Sequence, residues 1–248
     1  MPTATVTDDH LAILAKFDSP TVSNVLELFN IRSYIAGYTN HTIKAVYPTL
    51  PTAVGYAATI TFRGGQHAGR GEPYNKITQF IESVADVQRP LIAVIKDLDD
   101  PHLAATYGEV MVTTMKAFGF VGLLTNGAGR DYEQVRALDF PCWASSMIVS
   151  HGYNHFIDLN VPVDVGGLVV APKDLLHADA NGVVQIPLPI ASAVAELCEP
   201  FVAAEQVVLD YIQEDDLSIA GYHEAMNKKN QMVAELTEQA KKMAPADW

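Results

Sequence analysis

Two cysteines in 248 residues are too few for a disulfide-stapled secreted scaffold. Cys142 and Cys198 stand far apart, each in apolar surroundings, and read as buried thiols of a reducing compartment. No Cys-x-x-Cys pair, His-Glu-x-x-His helix, phosphate-binding loop or dinucleotide Gly-x-Gly-x-x-Gly is present. The Gly127-Ala128-Gly129 run is too short for the last of these and lacks its third glycine. Basic residues are scarce: 16 Lys and Arg against 29 Asp and Glu, a formal net charge of −13. A surface this acidic is poorly suited to phosphate backbones, so nucleic acid is not an expected partner, while a basic protein remains compatible. No apolar run reaches the roughly 20 residues a membrane span needs. The first ten residues show no basic region followed by an apolar stretch, so no secretory signal is expected and the chain reads as cytoplasmic.

What is present is ordinary for a globular protein: 49% hydrophobic and 18% charged residues. The length suits one α/β core with decorations. A helix is expected to start at Pro20, capped by Asp18 or Ser19, and to run through Val22, Val25, Leu26 and Leu28. Residues 31–51 read as irregular and 55–62 as a strand. Residues 63–73 form a glycine-rich loop with Arg63 and Arg70, able to close over an anion, although plain mobility explains such a composition as well. Residues 74–87 read as a helix. A short helix is expected at 132–138, with strands near 142–149, 168–170 and 182–186. From Ile190 onward the pattern is helical, first with Ala191, Val194, Leu197 and Phe201 on one face. A second helix over 219–242 has sparse apolar positions, a composition that suits packing across a subunit boundary.

The richest pattern lies in the middle. Residues 91–95 are a β-branched apolar run, 108–118 a helix with Met111, Met115 and Phe118 on one face, and 120–124 a second apolar run. Strand, helix and strand in this order imply a parallel pair with a right-handed crossover. Ligands bind such units where strand carboxyl ends meet helix amino ends. Gly108-Glu109 sits at the helix start, where unpaired amides favour an anion. After twenty intervening residues comes Arg130-Asp131, just past the second strand. One locus is therefore expected to combine free amides, a guanidinium and two carboxylates.

At these residues the chain resembles the RraA-like family, which includes metal-dependent 4-hydroxy-4-methyl-2-oxoglutarate and 4-carboxy-4-hydroxy-2-oxoadipate aldolases and a regulator of ribonuclease E activity. The aldolase pattern of an acidic residue, twenty residues and Arg-Asp is met by Glu109 and Arg130-Asp131. Further likenesses are Asp18-Ser-Pro-Thr-Val-Ser-Asn-Val-Leu26, Val54-Gly-Tyr-Ala-Ala-Thr-Ile60, Val161-Pro-Val-Asp-Val-Gly-Gly167 and the stretch from Pro172 to Val183. The resemblance covers roughly residues 10–210. It implies a compact α/β fold, a β/β/α sandwich over residues 1–210; the C-terminal helical extension over 211–248 goes beyond the typical family end, and its sparse apolar positions suit a subunit interface. It also implies a trimer or a dimer of trimers.

By the same resemblance, Asp131 is the metal anchor for Mg²⁺ or Mn²⁺, a hard cation that takes few protein carboxylates and keeps several waters. By position alone Asp131 could instead cap the following helix, with Gln134 completing a capping box. Arg130 would neutralise the enolate oxygen of a small 2-oxo acid; the plainer alternative is a surface ion pair with Asp131 or Glu133. Glu109 would support metal-bound water or proton transfer, or merely complement its helix dipole. The backbone of Gly108, Glu109, Val110 and Met111 would seat the substrate carboxylate, with Val110-Met111 where Leu-Leu is common in the family. Glu205 is the best match to a glutamate that a neighbouring subunit contributes. His151 and His155 have the i, i+4 spacing of a metal pair, but Gly-Tyr-Asn between them argues against a helix; His151 stays a candidate proton donor or specificity residue. His102 is a candidate to face the pocket. Asp97, Asp99 and Asp100 fall where the family often has glycines. The implied activity is a class II pyruvate-aldolase type lyase with oxaloacetate decarboxylation on the side. The alternatives are a regulator that binds an RNA-degrading enzyme, and another metal-dependent lyase or hydratase acting on a sugar-derived acid.

Overall fold

The computed structural model describes residues 6–65 and 76–245. Most of the 63–73 loop, including Arg70, lies outside the described residues. Contacts gather the chain into two compact units, one of Ile35–Ile186 and one of Met1–Tyr34 with Pro187–Trp248. Residues 210 and 211, where the sequence places the start of the C-terminal extension, lie at the end of the Ala191–Tyr211 helix, inside the second of these units.

The Ile35–Ile186 unit is built on an eight-stranded sheet. Its order runs Lys44–Ala45, Cys142–Ala144, Phe120–Thr125, Leu91–Asp97, Ala53–Arg63, Leu175–Asp179, Gly182–Ile186, with His155–Leu159 also paired to Ala53–Arg63. The neighbours from Ala53–Arg63 through Leu91–Asp97 and Phe120–Thr125 to Cys142–Ala144 are parallel. This is the arrangement that the apolar runs imply, because a parallel strand is covered on both faces and cannot alternate. Ala53–Arg63 accordingly buries ten of its eleven residues. Trp143 is fully buried and donates its indole N–H to the carbonyl of Asp179 at 2.7 Å.

A three-stranded mini-sheet, Ala105–Tyr107, Ala128–Gly129 and Ser146–Met147, is also parallel throughout. It was not anticipated, since strands of two or three residues carry no periodicity. The strand expected at 168–170 is present as Leu168–Val170, paired in a hairpin with Val163–Val165, whereas the strand His155–Leu159 has no counterpart in the sequence reading. Of the helix expected over 74–87, the described residues are helical over Lys76–Ser83 and turn from residue 84.

In the helical unit, Asp18 caps Ser19–Leu28 by accepting from the N–H of Thr21 at 2.8 Å, and Pro20 fills the first turn, as the sequence implies. Ala191–Tyr211 buries a long apolar stripe, including Val194, Leu197, Cys198 and Phe201. Ile219–Met243 buries only Ala225, Leu236 and Ala240. Among the described residues, no helix is long and apolar enough to cross a membrane.

Candidate functional site

The site is assembled at the carboxyl ends of the parallel strands. Phe120–Thr125 ends beside Leu91–Asp97, and Asn126 prolongs their pairing with its side chain. Its Oδ1 accepts from the N–H of Asp97 at 2.8 Å and its Nδ2 donates to the Asp97 carbonyl at 2.9 Å. Gly127 then passes so close to its neighbours that a Cβ there would run into Thr106 Oγ1 and stand 2.9 Å from Asp97 Oδ2. The chain enters the mini-sheet at Ala128–Gly129 and emerges at Arg130, whose N–H donates to the Tyr107 carbonyl at 3.1 Å. Tyr107 closes the neighbouring strand and Gly108 opens the Glu109–Ala117 helix. Two adjacent parallel strands therefore deliver Gly108 and Arg130 to the same place, across the intervening span of sequence.

Asp131 stands at the N-cap position of Tyr132–Ala137, as the capping alternative requires, but its carboxylate makes no bond to that helix. Its backbone is left-handed, at φ 57° and ψ 48°. That turn directs Oδ2 to the other helix, where it accepts from the N–H of Glu109 at 2.9 Å. The same oxygen lies 3.6 Å from Arg130 Nε, a loose ion pair with both side chains about one-third exposed. Gly108 makes room for this: a Cβ on it would sit 2.6 Å from Asp131 Oδ2 and 3.0 Å from Arg130 Nε.

The helix start was expected to offer all its first amides to a ligand. The N–H of Glu109 is already taken by Asp131, and the first intrahelical bond runs from Val112 to Gly108. The amides of Val110 and Met111 remain as first-turn donors without an intrahelical partner. Both residues line a cavity of about 120 Å³ together with Gly108, Thr114, Arg130 and Tyr107. The buried face of this helix is Val112 and Met115, not Met111, Met115 and Phe118. Met111 is turned to the cavity and Phe118 is exposed, because the helix covers the sheet with only part of its circumference. The Glu109 side chain is exposed at the first turn.

Phe62, Ile77, Ala105, Thr106, Asn154 and Phe156 complete the wall, and none of them is a candidate from the sequence. Phe62 lies near the carboxyl end of a central parallel strand, so the rule that places ligands there could have pointed to it. His102 does not line the cavity. Its Nδ1 lies 3.1 Å from Asp97 Oδ2, and Asp97 is buried, which raises its carboxyl pKa above the usual range. His151 is exposed beside the Gly152 carbonyl, and His155 opens a strand, so the two do not share a helix face. Glu205 belongs to the helical unit, where it lines a wider cavity of about 650 Å³ with Glu27, Lys229 and Lys241. Burial pushes the Cys142 thiol well above its usual range and that of Cys198 up to about 12, so both are inert.

Among the described residues, no three His, Cys, Asp or Glu side chains are grouped to hold a metal ion. Asp131 would be a lone protein ligand. A single carboxylate beside a cavity is still compatible with a hard divalent cation that keeps waters and takes substrate oxygens. The left-handed turn that withdraws this carboxylate from its own helix fits that use.

A model of the RraA-like family, described as Aldolase/RraA, matches residues 3–185. The chain belongs to that family. A Halalkalibacterium halodurans protein provisionally named a 4-hydroxy-4-methyl-2-oxoglutarate aldolase is 28% identical over 134 residues, 54% of this chain and 64% of its own length. A protein of the same provisional name from Azotobacter vinelandii is 31% identical over 87 residues, 35% of this chain and 54% of its own. The chain thus spans somewhat less than two-thirds of the length of these relatives. Among solved structures, an uncharacterised Pseudomonas syringae protein superposes with a TM-score of 0.71 at 18% identity, covering 92% of this chain and 97% of that one. Streptomyces coelicolor RraAS2, described as an unusual member of the RNase ES inhibitor RraA family, gives 0.66 at 21%, covering 83% and 98%. The fold is the expected α/β architecture with a C-terminal helical part.

Proposed function

We propose that this protein is a lyase of the pyruvate-aldolase type, cleaving the C3–C4 bond of a 4-hydroxy-2-oxo acid. The observation that carries this reading is that Arg130 and the first turn of the Glu109–Ala117 helix line one cavity, with the Asp131 carboxylate 3.6 Å from Arg130 Nε and bonded to the N–H of Glu109. The amides of Val110 and Met111, at the positive end of that helix, suit the substrate carboxylate. When the C3–C4 bond breaks, its electron pair moves onto the C2 carbonyl oxygen, and the Arg130 guanidinium neutralises that charge with directional hydrogen bonds. Glu109, exposed beside Asp131, takes the C4 hydroxyl proton. Asp131 would hold the divalent cation, Mg²⁺ or Mn²⁺, which when bound supplies Lewis-acid polarisation of the 2-oxo acid. The same enolate logic gives oxaloacetate decarboxylation as a side activity. Glu205 would act toward a neighbouring subunit in a homotrimer or a dimer of trimers.

The test is pyruvate release from oxaloacetate and from 4-hydroxy-2-oxo acids, with and without Mg²⁺ or Mn²⁺. Cation-dependent release is expected. Its absence, with cation-independent binding to a basic protein in its place, would sink the lyase and favour a regulator.

A further inference from the structure

Behind its charged mouth the cavity is mostly apolar. Phe62, Ile77, Met111 and Phe156 face it, the exposed Val110 stands at its rim, and Thr106, Thr114, Tyr107 and Asn154 are the neutral polar residues of its lining. Phe62 and Phe156 are cross-strand partners with ring centroids 6.1 Å apart, so this part of the wall is fixed by the sheet. Among the described residues that line the cavity, Arg130 is the only cation. Among the described residues, Arg63 and His102 do not line the cavity and are already matched: Arg63 Nη1 lies 3.7 Å from Asp99 Oδ1, and His102 Nδ1 lies 3.1 Å from Asp97 Oδ2. A second carboxylate placed against these rings would lose its hydration and find, among the described lining residues, no second cation to replace it. An apolar group there gains about fourfold in affinity for each buried methylene. The volume of about 120 Å³ sets the size. A dry cavity of roughly 150 Å³ admits benzene, so a branched alkyl group fits and a phenyl ring is at the limit.

We infer that the substrate is a monocarboxylate, a 4-hydroxy-2-oxo acid with a branched alkyl or phenyl group on C4. This rests on the lyase reading and departs from the dicarboxylate in the relatives' names. The C4 hydroxyl gives its proton to a base and the C3–C4 bond breaks. The electron pair passes into the pyruvate enolate, and C4 leaves as an aliphatic or aromatic aldehyde. C3 then takes up one proton. No oxidant or second substrate is needed.

Two measurements separate this inference from the lyase reading. The first is calorimetry with uncleavable 2-oxo acids, 4-methyl-2-oxopentanoate against 2-oxoglutarate, in the presence of Mg²⁺. The branched acid is expected to bind at least about tenfold more tightly. Val110→Arg adds a cation at a side chain that is 80% exposed, so the fold tolerates it, and it should erase most of that preference. The second is pyruvate release from 4-hydroxy-2-oxo acids bearing isopropyl or carboxyl on C4, where the isopropyl compound should lead in kcat/KM by a similar factor. A tenfold binding preference with no pyruvate from any compound would overturn the lyase and leave the apolar pocket standing. Equal or tighter binding of 2-oxoglutarate, no binding of either acid up to about 10 mM, or faster cleavage of the carboxyl compound would overturn the inference.

Discussion

Asp18 precedes the Ser19–Leu28 helix, and Asp131 precedes Tyr132–Ala137. Both are aspartates at an N-cap position. Asp18 has extended backbone at φ −83° and spends its carboxylate on the N–H of Thr21, three residues on. Asp131 has left-handed backbone at φ 57° and gives its carboxylate to a different helix, at Glu109. A left-handed residue costs on the order of 1 kcal/mol, and the forgone cap about 1 kcal/mol more. One charged hydrogen bond to Glu109 offsets part of this. Locally unfavourable geometry that the surrounding fold enforces concentrates at functional sites. The contrast separates an aspartate that stabilises its own helix from one whose carboxylate is turned toward Arg130 and Glu109, where the proposed chemistry needs it.

The largest effect is expected at Asp131. Asparagine tolerates the left-handed region and can still accept from Glu109, but it is a poor ligand for a hard cation. Asp131→Asn should lower cation-dependent pyruvate release by roughly a thousandfold while Tm stays within about 2 °C. Full activity at low cation concentration would return Asp131 to the same class as Asp18. Alanine is the wrong probe here, since it would add backbone strain to the loss of charge.

Arg130→Lys keeps the charge and loses the planar fork. The expected loss in kcat/KM is roughly a hundredfold, measured at saturating cation so that Asp131 is not the limiting group. A change below about threefold would mean that Arg130 serves only its ion pair with Asp131, 3.6 Å away.

Gly108→Ala tests geometry apart from chemistry. Its φ of −157° is open to any residue, so no backbone strain is added. The new Cβ would meet Asp131 Oδ2 at 2.6 Å and push the carboxylate off the N–H of Glu109. An intermediate loss of about tenfold is expected, the scale of a small misplacement of a positioned group, with little change in Tm.

Part of this contrast is readable before any fold is known. The Asp18 cap is legible because Asp-Ser-Pro is a local signal, and the parallel strands are legible as apolar runs. The pairing of Glu109 with Arg130-Asp131 follows from the strand–helix–strand order and the family pattern. The left-handed turn at Asp131 is not legible, because Asp-Tyr-Glu-Gln suits a capping box equally well, and the choice is made by Gly108 and Glu109 from another segment. The apolar wall is hidden for a similar reason. Phe62 and Phe156 are 94 positions apart in sequence and meet only through an irregular antiparallel pairing. The mini-sheet that places Arg130 beside Gly108 has strands too short to show a period.

The smallest effect completes the contrast. Asp18→Ala removes one side-chain acceptor from the N–H of Thr21 and leaves backbone that alanine adopts freely. The expected cost is about 1 kcal/mol of stability, seen as a drop in Tm of roughly 2–4 °C for a chain of this size. Pyruvate release per folded molecule should not change at a temperature well below the transition. Asp18→Asn should restore most of the lost stability, because an amide oxygen caps nearly as well as a carboxylate. Asparagine is thus expected to rescue position 18 and to fail at position 131. If instead Asp18→Asn abolished cation-dependent activity at unchanged Tm, Asp18 would belong to the chemistry, and an aspartate's place before a helix would not separate the two roles.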